Sequence, residues 1–311
     1  MSTQATRTRL GKKGTEPVRR ASLVAWVCLV IVYFVWGSTY LAIRVGVETM
    51  PPLLMAAARN LIAGMIMFPI AWRRARRWPT RAEWIGTAVV GVLLLVANGV
   101  VGLGEKSVPS GMAALLVATV PLWLLGIDAG LNHARLGLAP LGGLLLGLAG
   151  VALLSGLGTG GKVSVTGALT ILGAAAMWAL GTIMARRGTL PSSAALASGM
   201  EMLIGGVALL ILSAATGEFS SVHAGQISAR SWWALAYLIV IGSIVAFSAY
   251  GIAVRSLPTA TVATYAYVNP VIAVLLGALI LGERLTTAMI AGGVLIVGAV
   301  VLVVRRSPPS H

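Results

Sequence analysis

The 311-residue chain is 58% apolar and only 10% charged, with 38 glycines and a formal net charge of +15. A soluble domain carries about 25% charged residues, so a water-facing surface around a single core is excluded. The lone cysteine, Cys28, excludes an intramolecular disulfide framework, and the scattered histidines His133, His223 and His311 offer no metal-ligand spacing and no sign of a cofactor. The basic residues sit in short segments between apolar runs rather than on one polar face, which argues for a lipid bilayer and against a nucleic-acid partner.

In chain order, a basic tail over residues 1–20 precedes apolar spans near 23–43, 52–72, 84–103, 108–128, 136–155, 165–185, 193–214, 232–253, 259–280 and 286–304. Each has about 20 residues, the length an α-helix needs to cross the hydrocarbon layer. Three pairs of spans are fused by short polar breaks. Residues 84–131 carry only Glu105, Lys106 and Asp128 as charges, and as one helix would run about 70 Å at about 1.5 Å per residue. The chain must therefore turn at Glu105-Lys106-Ser107-Val108-Pro109, and by the same reasoning at Gly156 to Lys162 and at Arg255-Ser256-Leu257-Pro258.

Basic residues orient the spans. With the N-terminus cytoplasmic, the inner segments hold seventeen Lys and Arg, including Arg73, Arg74, Arg76, Arg77 and Arg81. The outer loops hold five: Arg44, Lys106, Lys162, Arg230 and Arg284. This is a positive-inside bias that places both termini in the cytoplasm of a multi-pass inner-membrane protein.

The sequence also repeats itself. Trp36-Gly37-Ser38-Thr39 matches Trp178-Ala179-Leu180-Gly181-Thr182, and Leu61-Ile62-Ala63-Gly64 matches Leu203-Ile204-Gly205-Gly206, at an offset of 142. Ser107-Val108-Pro109 matches Ser256-Leu257-Pro258, and Pro121 matches Pro270, at 149. The predicted fold is an all-α membrane protein of ten transmembrane helices in two inverted five-helix repeats, residues 21–158 and 159–306. Five is odd, so the second copy enters the membrane upside down, an arrangement used by alternating-access transporters.

Trp36-Gly37-Ser38-Thr39-Tyr40, Gly46 to Pro52, Val108-Pro109-Ser110-Gly111-Met112-Ala113-Ala114 through Ala118-Thr119-Val120-Pro121, Glu201-Met202, and Thr264-Tyr265-Ala266-Tyr267-Val268-Asn269-Pro270 followed by Gly282-Glu283 resemble the EamA family of the drug/metabolite transporter superfamily, in its YedA-like inner-membrane branch. The resemblance runs from residue 23 to 304 and implies a ten-helix, export-type permease of metabolites or drugs.

Cost selects the candidate site, because a polar side chain in hydrocarbon faces a cavity or a partner. Trp36, Thr39 and Tyr40 on the first span, Asn98 on the third, and Tyr265, Tyr267 and Asn269 before the helix-breaking Pro270 on the ninth are the expected solute-binding residues. For each a structural role stands beside this one: Thr39 can bond its own helix, Trp36 and Tyr40 can belong to an interfacial belt, and the two asparagines can join helices. Arg59 and Glu201 occupy the same repeat position and are the candidate coupling residues or charge pair. Their structural alternative is snorkelling, or a fixed contact of Glu201 with Arg186 or Arg187. Glycines at 143 and 147, and at 292, 293 and 298, make small-residue faces suited to packing within the fold, with a homodimer surface as the other use. The competing functions are a membrane-embedded receptor or scaffold without transport, and an intramembrane enzyme, for which Ser110 lacks a histidine or lysine partner within any span.

Overall fold

The computed structural model describes residues 16–132, 138–154, 164–222, 224–257, 262 and 264–306. Its helices are α1 (Glu16–Gly46), α2 (Pro52–Ala75), α3 (Arg81–Glu105), α4 (Ser110–Val117), α5 (Val120–Leu131), α6 (Leu138–Leu154), α7 (Val165–Arg187), α8 (Ala194–Ala215), α9 (Ala229–Tyr237), α10 (Ala246–Ser256), α11 (Tyr265–Leu281) and α12 (Thr287–Arg306). A π-helical stretch, Leu238–Val245, joins α9 to α10. Seven spans among the described residues are long and apolar enough to cross a membrane, two of them compound, Ser110–Leu131 and Ala229–Ala253. Shorter apolar helices occupy Leu141–Leu153, Val268–Leu281 and Thr287–Ala299. Leu279, Trp233 and Val294 are 80%, 77% and 67% exposed, an outward apolar surface of the kind that lipid covers.

Local chemistry sets the helix ends. Thr80 and Glu83 form a reciprocal capping box at the start of α3, and Arg77 pairs with Glu83 at 2.5 Å, which raises the Arg77 guanidinium above its ordinary range. Ser164, Ser193 and Ser228 cap α7, α8 and α9. Gly282 ends α11 at φ 66°, a left-handed conformation that a side chain would strain. Three features depart from the expected spans. The helix of the first span begins at Glu16, taking in the last residues of the basic tail. The fourth is interrupted at Ala118-Thr119, in the turn before Pro121 where a proline demands a break. The eighth carries the π-helical stretch, which no hydropathy pattern announces.

α2 packs on α8, α3 on α7 and α8, α1 on α10 and α11, α4 on α11, α5 on α7, and α6 on α12. Glycine lets several of these backbones approach closely. Gly64 lies against Leu203 while Gly206 lies against Leu61, so the two contacts map onto each other at the 142 offset. Gly242 meets Thr39 and Gly181 meets Leu93, a second pair that interconverts at offsets of 142 and 149. Gly147 faces Leu122, and Gly150 faces the Gly292 carbonyl, so part of the α6 glycine face is spent inside the molecule.

Candidate functional site

Four elements converge on Arg59. It lies in the second turn of α2, seven residues from Pro52 and about 10 Å along the helix axis, and is 5% exposed. Its Nε donates to Ser243 Oγ at 2.9 Å, Nη1 to Asn98 Oδ1 at 3.2 Å, and Nη2 to the Gly242 carbonyl at 3.3 Å. Thr39 of α1 packs on the same Gly242 and returns its hydroxyl to the Trp36 carbonyl at 2.6 Å. The π-helical stretch supplies two of the three acceptors, Ser243 Oγ and the Gly242 carbonyl. All three acceptors are neutral. Among the described residues no carboxylate pairs with Arg59, so a buried guanidinium keeps an uncompensated charge and unused N–H donors.

One turn along α1 an aromatic box begins. The Trp36 ring lies 5.5 Å from Phe247, 5.1 Å from Tyr250 and 5.2 Å from Tyr265, and Tyr250 meets Tyr265 edge-on at 5.9 Å. Such pairs favour a fixed geometry by about 0.5–1.5 kcal/mol each. Tyr33 of α1 hydrogen-bonds Thr264 just before α11. Asn269 is 7% exposed; with its amide nitrogen turned to the two carbonyls, it donates to Tyr33 O and Tyr265 O at 3.1 Å each. It thus ties α1 to α11 immediately before Pro270.

Thr39, Asn98 and Arg59 therefore share one centre, and Trp36, Tyr265 and Asn269 the adjoining seam. Tyr40 points elsewhere, packing among α4 and α7 residues such as Val117. The Tyr267 side chain lies outside the described residues. Glu201 stays apart from Arg59: it is half-buried on α8 where Gly91 of α3 approaches its backbone, and it has neither an ion-pair nor a hydrogen-bond partner among the described residues. Arg187 binds Asp128 and Asn132 instead. Sequence reasoning passed over Ser243 and Gly242, whose Gly-Ser pair inside an apolar run was the available signal. It also passed over Glu105, which closes α3 at 0% exposure and was assigned to a polar turn because Lys106 follows it.

These features define a multi-pass helical membrane protein with a charged polar centre held between its helices. The sequence matches the EamA-like transporter family over residues 23–156 and 165–305, and the chain belongs to that family of membrane transporters. It is 40% identical to "Uncharacterized inner membrane transporter YedA" of Escherichia coli K12 over 291 residues, covering 91% of this chain and 92% of that one. It is 30% identical to "Uncharacterized transporter YvbV" of Bacillus subtilis over 95% of this chain and 94% of that one. A "Probable amino-acid metabolite efflux pump" of Salmonella typhimurium is 26% identical over 86% of this chain and 90% of its own length. A solved crystal structure shares the fold with a TM-score of 0.58 at 21% identity, over 93% of this chain and 99% of that one.

Proposed function

We propose that this transporter exports small solutes bearing an anionic group by alternating access, with ten transmembrane helices arranged as two inverted repeats and both termini in the cytoplasm of an inner-membrane protein. The observation that carries the solute class is the Arg59 centre, a buried cation whose hydrogen-bond partners among the described residues are all neutral. A carboxylate or phosphate would complete it, and guanidinium geometry suits bidentate pairing with either. The box of Trp36, Phe247, Tyr250 and Tyr265 offers an apolar and aromatic seat beside it. Asn98 and Thr39 position the guanidinium and its helix, and Asn269 holds the seam.

The interconverting contacts of Gly64 with Leu203 and Gly206 with Leu61 support the inverted repeat, as does the presence of two matched family segments. The name of the Salmonella relative supports an amino-acid-like solute. A thermal-shift screen of the purified protein against amino acids, sugars and cationic drugs, followed by flux into proteoliposomes, tests the solute class. Stabilisation and saturable flux confined to carboxylate-bearing compounds is expected; stabilisation by cations alone would overturn it. Topology is tested separately. A reporter fused after Arg77 or Arg306 is expected to be cytoplasmic and one near Val222 external, whereas an external reporter at Arg77 would overturn the orientation.

A further inference from the structure

The end of the molecule at the C-terminus of α3, external in the proposed orientation, holds a carboxyl that the Arg59 centre does not use. Glu105 is 0% exposed, and neither of its carboxyl oxygens has a hydrogen-bond partner among the described residues. From α1 it is faced by Tyr40 and Arg44, and Arg44 donates Nη1 to the Glu105 main-chain carbonyl rather than to the carboxyl. From the turn after α11 comes Glu283, whose own carboxylate is satisfied by Ser110 N at 2.8 Å, Ser110 Oγ at 2.9 Å and Gly111 N at 3.2 Å. α7 packs through Ile171 and the Gly167 carbonyl on Gly104, and neither residue titrates. Lys106 is exposed.

An ionised carboxylate in this position would have no donor to satisfy it, and the attraction of Arg44 would be opposed by the charge on Glu283. Glu283 meanwhile binds the first turn of α4, and Ser110 there is itself 0% exposed, so the start of α4 is packed shut at the same end of the molecule as Glu105. We propose that Glu105 is a proton-binding site: it holds a proton while the outer end is sealed and releases it to external water when that end opens, which links the outer gate to external pH. On opening, the Glu105 O–H bond breaks, the proton passes to water, and the carboxylate formed takes an N–H of Arg44. Reprotonation from outside removes that ion pair and favours resealing. The inference rests on the alternating-access reading.

Two measurements on the full chain in lipid nanodiscs and proteoliposomes test it. Infrared spectra at neutral pH are expected to show the carbonyl stretch of a protonated carboxylic acid that is lost in Glu105→Gln, retained but displaced in Glu105→Asp, and kept in Glu201→Gln. An undiminished band in a folded Glu105→Gln protein would overturn the site. In the second, Met112→Cys on α4 is placed in a Cys28→Ser background and labelled from outside with a membrane-impermeant maleimide between about pH 6 and about pH 9, a range that reaches the titration of buried carboxyls. Relative to the same cysteine in Glu105→Gln, labelling is expected to accelerate as pH rises. A ratio that stays flat would overturn the link to pH while leaving alternating access standing; absence of labelling under every condition would overturn alternating access itself.

Discussion

Replacing Arg59 with glutamine is expected to lower proteoliposome flux of a carboxylate solute by tenfold or more at sub-saturating concentration, with the protein still inserted and monodisperse. A hydrogen bond to a charged group contributes about 1.5–3 kcal/mol, and about 1.4 kcal/mol is a factor of ten in affinity. Glutamine spans part of the distance to Asn98 and Ser243 but removes the positive charge that the proposed solute would neutralise. Arg59→Lys keeps the charge as a compact ammonium and loses the planar fork that reaches Ser243, Asn98 and Gly242 together, so an intermediate loss is expected. The same measurement addresses Glu201. Because the two side chains are not paired, the exchange of Arg59→Glu with Glu201→Arg is expected to remain inactive rather than to restore transport. Wild-type flux in Arg59→Gln would remove the guanidinium from the account.

The second large effect is structural. A Cβ at Gly205 would lie 2.5 Å from Leu95 Cβ and 2.6 Å from the Gly91 carbonyl, and a Cβ at Gly91 would lie 2.8 Å from the Glu201 carbonyl. Two of these three neighbours are backbone atoms that cannot turn away. Gly205→Val must therefore push α8 off α3, and overpacking of this kind costs about 1–3 kcal/mol. A lowered Tm and a smaller monodisperse yield are expected for Gly205→Val. Gly173→Ala, at a glycine with no atom within 4 Å of the added Cβ, should match the wild type. Equal stability of the two variants would contradict the packing described for α3 and α8.

The spans were legible because twenty-odd apolar residues leave few alternatives, and Arg59 and Asn98 were legible because polar groups in hydrocarbon demand an explanation. What joined them was not. The π-helical stretch is built from Leu, Ile, Val, Gly and Ser in an order any apolar helix could carry, and its departure from α-helix is a tertiary effect. The aromatic box needed Phe247, Tyr250 and Tyr265 to meet Trp36 across more than two hundred residues, which periodicity does not encode. Glu105 was hidden by its neighbour: a Glu-Lys pair reads as a turn, yet the helix phase buries the first residue and exposes the second. Asn269 stood out as a costly polar group expected to bind solute, and with its amide nitrogen turned to the Tyr33 and Tyr265 carbonyls it also joins α1 to α11.

Access to Ser243 tests the central claim most directly. This residue is 0% exposed and receives the Arg59 Nε hydrogen bond, and Ser243→Cys in a Cys28→Ser background changes little volume. Alternating access around the Arg59 centre predicts that an impermeant thiol reagent modifies this cysteine from the inside and, in a separate population, from the outside, and that a carboxylate solute slows both reactions. Modification from one side only, under every solute and pH condition, would contradict the account.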